Sequence, residues 1–159
     1  MKLLVADAGP LIFLAKLGRL NLLTEADVRI PAAVMAEISA KADEACKQIE
    51  QAANHWLKVV EVKNRAAVQL LLADLDLGEA EVIAIAKEIN ADTLLLDDLD
   101  ARRFAKRVGL ATIGTVGILL SARLQGKIPS LREEMDRLQS QGFRISKALV
   151  DEALKAAGE

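Results

Sequence analysis

The sequence predicts a single α/β domain, residues 1–159, with a central parallel sheet that helices cover on both faces. Short apolar runs that suit buried strands alternate with amphipathic segments that suit helices. Strands separated in this way pair in parallel, because a parallel pair needs a crossover connection. The length of 159 residues fits one domain, and no long linker, low-complexity tract or repeat divides the chain.

The elements of the first third follow from apolar runs and from proline and glycine. The first strand is expected at Leu3–Ala6, where LLVA is uniformly apolar. A helix follows, because Gly9-Pro10 suits a first helical turn and LIFLAKLG runs on to Gly18. Pro31 opens a second helix, PAAVMAEISA, by the same rule.

The rest of the chain continues the alternation. Thr93–Leu96 and Ala111–Ile113 are apolar runs followed by helix-start residues, and Trp56–Val62 is a fourth candidate strand. Further helices are expected near residues 42–54, 64–74, 79–90, 99–107, 115–125, 130–141 and 146–157.

Composition excludes several classes of function. The single cysteine, Cys46, permits no intrachain disulfide, and the single histidine, His55, disfavours zinc sites and Ser-His-Asp chemistry. Apolar runs are only a few residues long, against the roughly 18 that span a bilayer, and Asp7 falls too early for a signal-peptide core. We therefore expect a cytoplasmic protein without a membrane segment.

Charge is distributed unevenly along the chain. Residues 1–100 carry 10 Lys+Arg against 17 Asp+Glu, whereas residues 101–159 carry 11 against 6. The charges either solvate ordinary helices or mark an acidic site flanked by a basic surface, as an enzyme acting on a polyanion needs. Aromatic residues make up only 3% of the chain, which does not favour a base-stacking platform.

Two aspartates follow predicted strands directly. Asp7 ends LLVA and Asp97 ends TLLL, and the carboxyl ends of parallel strands share the edge of the sheet where ligands bind. In the helix predicted at 79–90, Glu79 falls inside the apolar arc and Glu81 points nearly opposite. Glu79 is either an acid favourably placed in the first helical turn, near the positive end of the helix, or an inward-facing acid whose negative charge must be compensated by a partner.

Convergence of these acids would require a cation. Glu37, which borders the apolar side of its helix, belongs with them only if they converge, since alone it is typical of a surface residue. Two carboxylates about 4 Å apart repel by roughly 4 kcal/mol at an effective dielectric constant near 20. Oxygen-only ligands at such density suit Mg²⁺ or Mn²⁺.

The motifs together resemble those of a known family. VADAGPLIFLAKLGRL, IPAAVMAEI, LGEAEVIAIAKEINADTLLLDDLDARRFAKRVGL and TIGTVGILLSAR are similar to PIN domains, most closely to a prokaryotic VapC-like branch with a Gly-Glu-Ala-Glu segment. The resemblance covers nearly the whole chain and implies a three-layer α/β/α nuclease fold. It also implies four catalytic acids, of which the first, third and fourth ligate metal: Asp7, Glu37, Glu79 and Asp97.

The resemblance implies supporting residues as well. Asp98 is either an additional or water-mediated ligand or the cap of the next helix, and Asp100 suits that helix's first turn. Thr115 either lies near the site through its hydroxyl or caps the helix that it begins. Gly9 departs from the family, which often has Ser or Thr two residues after the first aspartate.

The resemblance implies that the protein is a Mg²⁺- or Mn²⁺-dependent endoribonuclease and the toxin of a toxin-antitoxin pair. The expected partners are RNA as substrate and a small antitoxin protein, and the chain is expected to form a homo-oligomer. Two alternatives are a non-catalytic PIN-like module acting through protein contacts and a phosphoryl-transfer or receiver domain. The last lacks the second acid after the first strand, where Gly9 stands. Basic residues expected to hold RNA phosphates are Arg102, Arg103 and Lys106, followed by Arg107, Arg123 and Lys127.

Overall fold

The computed structural model describes residues 1–159 and contains one five-stranded sheet. Every strand pair is parallel, and the spatial order is β3-β2-β1-β4-β5. The predicted parallel α/β class is therefore confirmed. The strands are β1 (Leu3–Ala6), β2 (Asp27–Pro31), β3 (Leu57–Val60), β4 (Thr93–Leu95) and β5 (Thr112–Ile113).

Nine α-helices surround this sheet, and a short 3₁₀ helix at Leu20–Leu23 follows the first of them. Consecutive residues are buried in the central strands, Leu4, Val5 and Ala6 in β1 among them, as expected of a sheet covered on both faces. The helices are α1 (Ala8–Lys16), α2 (Ala32–Lys41), α3 (Glu44–Ala53), α4 (Arg65–Leu71), α5 (Leu77–Ile89), α6 (Leu99–Arg107), α7 (Thr115–Leu124), α8 (Leu131–Ser140) and α9 (Lys147–Ala156).

Strand β2 was not predicted from the sequence, although it lies between β1 and β3 in the sheet. Val28 and Ile30 are fully buried, but Asp27 and Arg29 interrupt the apolar run. These two side chains neutralise each other, since Arg29 Nη2 lies 3.1 Å from Asp27 Oδ2. The ion pair allows a strand with two charges to occupy an interior place in a parallel sheet.

The order of the strands creates a switch point between β1 and β4. The chain proceeds from β1 to β2 on one side, whereas β4 pairs with β1 on the other, in the register Ala6 to Leu95. Ligands of open α/β sheets bind at the carboxyl edge at such a point. Asp7 and Asp97 both lie just beyond this edge.

No helix of the chain is both long enough and apolar enough to cross a membrane.

Replacing Ile30 by alanine tests the interior position of β2. Because Ile30 is fully buried, we expect the variant to lose about 2–5 kcal/mol of unfolding free energy, measured by urea denaturation. Val59→Ala is the control, since Val59 lies in edge strand β3 and is 45% exposed. A loss at Ile30 no larger than that at Val59 would contradict the observed sheet order.

Candidate active site

Asp7 leaves β1 beside the end of β4 and is mostly buried. Its backbone N–H donates to Leu95 O at 3.0 Å, and its Oδ1 accepts from Ala8 N at 2.9 Å, which caps α1. Burial is the main reason that the pKa of Asp7 rises to about 7. The hydrogen bond from Ala8 lowers this pKa, and neighbouring carboxylates of α2 and of the α5 N-terminus raise it.

Asp76 and Glu79 form a capping box at the start of α5. Asp76 Oδ1 accepts from Glu79 N at 2.8 Å, and Glu79 Oε1 accepts from Asp76 N at 3.1 Å. The helix therefore starts at Leu77 with Asp76 as its cap, earlier than residue 79, where the predicted helix begins. The first-turn role considered for Glu79 is confirmed. Burial raises the pKa of Glu79, and the charges of neighbouring carboxylates add to that rise.

Asp76 was not predicted from the sequence, although a signal for it exists. Asp76-Leu77-Gly78-Glu79 has the spacing of a capping box, which places the first residue at the helix N-terminus. Among neighbouring negative charges, that of Asp76 contributes most to raising the pKa of Asp7. Asp76 is thus an additional acid of this edge.

Gly78 lies close to three carboxylates, which belong to Asp7, Glu37 and Asp76. A Cβ atom at Gly78 would lie 3.4 Å from Asp7 Oδ1, 3.5 Å from Glu37 Oε2 and 3.6 Å from Asp76 Oδ1. The strand end of β1, the helix α2 and the N-terminus of α5 thereby direct carboxylate oxygens toward one space. Asp7 and Glu37 come together as the sequence suggested.

Asp97 is held differently, by the start of α7. Its Oδ1 accepts from Thr115 N at 2.7 Å, and its Oδ2 accepts from the Thr115 hydroxyl at 2.6 Å. Thr115 is fully buried, and its hydroxyl does not cap its own helix. Asp97 itself serves α7 by accepting the N–H of the first helical residue. Of the two roles considered for Thr115, the structure therefore gives it the contact with the acid.

Arg102 and Gly114 complete the surroundings of Asp97. A Cβ at Gly114 would lie 2.9 Å from Asp97 Oδ1, so only glycine leaves room for the carboxylate. Burial raises the pKa of Asp97, while the bonds from Thr115 and the charge of Arg102 lower it. Asp97 is thus held by Thr115, with Arg102 close by.

The aspartates that follow Asp97 have separate roles. Asp98 Oδ1 accepts from Ala101 N at 2.9 Å and caps α6, as one of the two predictions for it states. Its charge also raises the pKa of Glu79, which places Asp98 on the side of α5. The Asp100 side chain is 91% exposed in the first turn of α6, where no chemistry is required of it.

The predicted substrate-binding residues lie on two sides of α6. Arg102 is beside Asp97 and donates from Nε to Thr112 Oγ1 at 3.3 Å, within a groove of ≈ 630 Å³. Arg103 and Lys106 line a second groove of ≈ 650 Å³, together with Phe104 and Arg107, and Arg103 lies 3.6 Å from Asp100.

The other basic candidates are engaged elsewhere. Arg123 Nε lies 3.3 Å from Glu159 Oε2, and Lys127 Nζ lies 2.8 Å from Glu25 Oε2. Both cations are thus paired with acids outside the Gly78 group.

Glu81 was predicted to point nearly opposite Glu79, away from the apolar arc. The structure shows that this side of the helix is buried as well, since only 4% of Glu81 is exposed. Nearly all of the first three turns of α5 is buried, so this part of the helix has no solvent-facing side. Glu81 Oε2 instead pairs with Arg65 Nη1 at 2.7 Å.

The carboxylates around Gly78 fit a divalent cation chemically. None of Asp7, Glu37, Asp76 and Glu79 forms an ion pair with lysine or arginine. The atoms that these side chains offer as metal ligands are all oxygens, which Mg²⁺ and Mn²⁺ prefer. In the present rotamers no three acidic, histidine or cysteine side chains lie close enough to hold one ion. Shared binding of a cation would therefore need side-chain rotation.

Comparison with known proteins agrees with the fold. A family model described as a PIN domain matches residues 3–159, and PIN domains are generally nucleases. No curated protein matches the chain. Since the match covers nearly the full length, the chain belongs to the PIN domain family.

Proposed function

We propose that this PIN domain is a Mg²⁺- or Mn²⁺-dependent endoribonuclease. The observation that carries the proposal is the group of carboxylates around Gly78, which lacks a cationic partner at the switch point of the sheet. Such a group is stabilised when a divalent cation offsets the repulsion. The family supplies the reaction class, since PIN domains are generally nucleases.

The proposed catalytic acids are those expected from the sequence, with one addition. Asp7, Glu79 and Asp97 would hold the ion, Glu37 would complete or orient its shell, and Asp98 would act through water. We add Asp76, whose Oδ1 faces the same space as Asp7. A bound divalent ion lowers the pKa of its water and neutralises charge that develops on the phosphate. Thr115 would hold Asp97 in one orientation through its two hydrogen bonds.

RNA phosphates would be held by the basic residues of α6. Arg102 is the best placed, because its guanidinium lies beside Asp97. Arg103 and Lys106 extend the contact along the second groove. Phosphate contacts of this kind fix the position of a nucleic acid without selecting its sequence. The basic balance of residues 101–159 supports this assignment.

The proposal includes partners as well. Large apolar side chains are exposed at the ends of three helices, with Leu70 79%, Leu99 57% and Leu77 46% exposed. Exposed apolar side chains of this size favour protein contacts, and they support binding of a small antitoxin or of a second copy of the chain. The chain would then be the toxin of a toxin-antitoxin pair and would act in the cytoplasm, since its single free cysteine is compatible with reducing conditions.

Cleavage of RNA is the direct test. We expect the purified chain to cut RNA with Mn²⁺, to lose activity in EDTA, and to lose at least 100-fold in rate as Asp7→Asn or Asp97→Asn, on the order of 3 kcal/mol of transition-state stabilisation. Asp100→Asn is the control, because its exposed side chain lies outside the site. Full activity in both site variants would sink the assignment, and Mn²⁺ binding without any cleavage would favour the non-catalytic module.

Asp76→Asn tests the added acid. Asparagine keeps the oxygen that caps α5 but removes the charge, so the fold should persist while Mn²⁺ affinity falls roughly 10-fold, measured by calorimetry. Asp43→Asn is the matched control, because Asp43 caps α3 in the same way by accepting from Cys46 N at 2.8 Å. Equal affinities of the two variants would exclude Asp76 from the site.

The raised pKa of Asp7 predicts how the metal-free chain responds to pH. The folded carboxyl keeps its proton up to about pH 7, whereas the unfolded one loses it near its ordinary pKa of 3.8. The unfolded state then binds fewer protons, so unfolding free energy should fall as pH rises from 4 to 7. Asp7→Asn cannot ionise and should flatten this slope in urea titrations. Parallel curves for the two proteins would contradict the raised pKa.

A further inference from the structure

Glu81 is a buried acid that no predicted role uses. Only 4% of the residue is exposed, and both carboxylate oxygens are occupied. Oε2 accepts from Arg65 Nη1 at 2.7 Å, and Oε1 accepts from Ala33 N at 3.2 Å. The carboxylate thus connects three helices: α5, which carries it, α4, which begins with Arg65, and α2, which contains Ala33.

The bond to Ala33 supplies what α2 lacks. The N-cap residue of α2 is Pro31, which offers no side-chain hydrogen bond to the first turn. Glu81 accepts one of the N–H groups left free there, and a negative charge at a helix N-terminus is favourable. Glu37 follows Ala33 by about one turn on α2, and Glu79 precedes Glu81 by two residues on α5. The contact therefore fixes the two helices close to their site carboxylates.

We propose that Glu81, held by Arg65, is a positioning residue that sets α2 against α5 so that Glu37 faces Asp7 over Gly78. This inference rests on the proposed function, because its consequence is the geometry of the metal-binding acids. Glu81 touches neither the metal nor RNA in this role. It acts through the backbone of α2.

Fold stability alone is a weak reason for this arrangement. A buried ion pair gains little over well-packed apolar side chains of similar volume, because desolvation of the charges offsets their attraction. The Arg65 side chain is 53% exposed, which further weakens the pair through solvent screening. The precise direction of a carboxylate toward Ala33 N is better explained by the need to place α2.

A second buried glutamate provides the matched control. Glu134 on α8 is 3% exposed and pairs with Arg19 at 2.6 Å and Arg137 at 3.1 Å. It has the same chemistry and similar burial to Glu81, but its partners belong to neither α2 nor α5. Glu134→Gln therefore reports the effect of losing a buried charge without moving the site.

The experiment compares Glu81→Gln and Glu134→Gln by Mn²⁺ calorimetry and by urea unfolding. Both variants should lose stability, but only Glu81→Gln should weaken Mn²⁺ binding, by roughly 10-fold, as loss of an outer-shell partner does. With RNA, kcat of Glu81→Gln should fall while KM stays close to the wild-type value, because the basic residues of α6 are untouched. Arg65→Lys keeps the positive charge but loses the planar guanidinium, so this variant should bind Mn²⁺ more weakly than the wild type but more tightly than Glu81→Gln does.

The outcomes separate this inference from the proposed function. Wild-type Mn²⁺ affinity in Glu81→Gln, or an equal loss in Glu134→Gln, would overturn the positioning role while leaving the nuclease proposal intact. If Glu81→Gln fails to fold, Arg65→Lys decides: wild-type affinity there overturns the role, and a several-fold loss supports it. Absence of Mn²⁺ binding by the wild-type chain would instead overturn the proposed function, and the positioning role with it.

Discussion

Electrostatic repulsion among carboxylates at the carboxyl edge of the sheet is the constraint on which the site depends. Two such groups about 4 Å apart repel by roughly 4 kcal/mol at an effective dielectric constant near 20. Three helices, α1, α5 and α6, begin at this edge, and Asp7, Asp76 and Asp98 each cap one of them. Interaction with the helix N-terminus stabilises each carboxylate by about 0.3–1 kcal/mol, which does not offset the repulsion between them. Because its pKa is raised to about 7, Asp7 stays protonated up to about pH 7, and this proton reduces the repulsion in the absence of a cation.

Elsewhere the same chain neutralises its buried acids with arginine. Glu81 has Arg65, and Glu134 has Arg19 and Arg137. The chain carries 21 lysines and arginines, so unpaired acids at the edge do not result from a shortage of cations. The contrast between structural acids with guanidinium partners and edge acids without them is the electrostatic reason to place a divalent cation at the edge.

Sequence reasoning could place the acids that follow strands, because a parallel sheet delivers strand ends to one edge. It also predicted the α/β class and a segment for each of the nine α-helices, from apolar periodicity and helix-start residues. It missed β2, because Asp27 and Arg29 interrupt the apolar run of this interior strand. The ion pair between these two side chains, which makes the strand possible, cannot be read from apolar periodicity. It did not show that Glu81 is buried, because a helical wheel describes one helix alone and cannot include α2 and α4, which pack against the side that carries Glu81.

The two acids at the switch point differ because their neighbours differ. Asp7 accepts a single hydrogen bond, from Ala8, and faces other carboxylates, so its charge depends on protons or cations. Asp97 accepts two bonds from Thr115 and lies beside Arg102, so donors of α7 and a guanidinium support its charge. Adjacent strands thereby present one carboxylate that responds to pH and one with a fixed orientation. Since both aspartates follow adjacent strands, this difference comes from the surrounding helices: α1 follows Asp7 directly, whereas the donors to Asp97 belong to α7, which begins only after β5. The strand pattern alone does not reveal it.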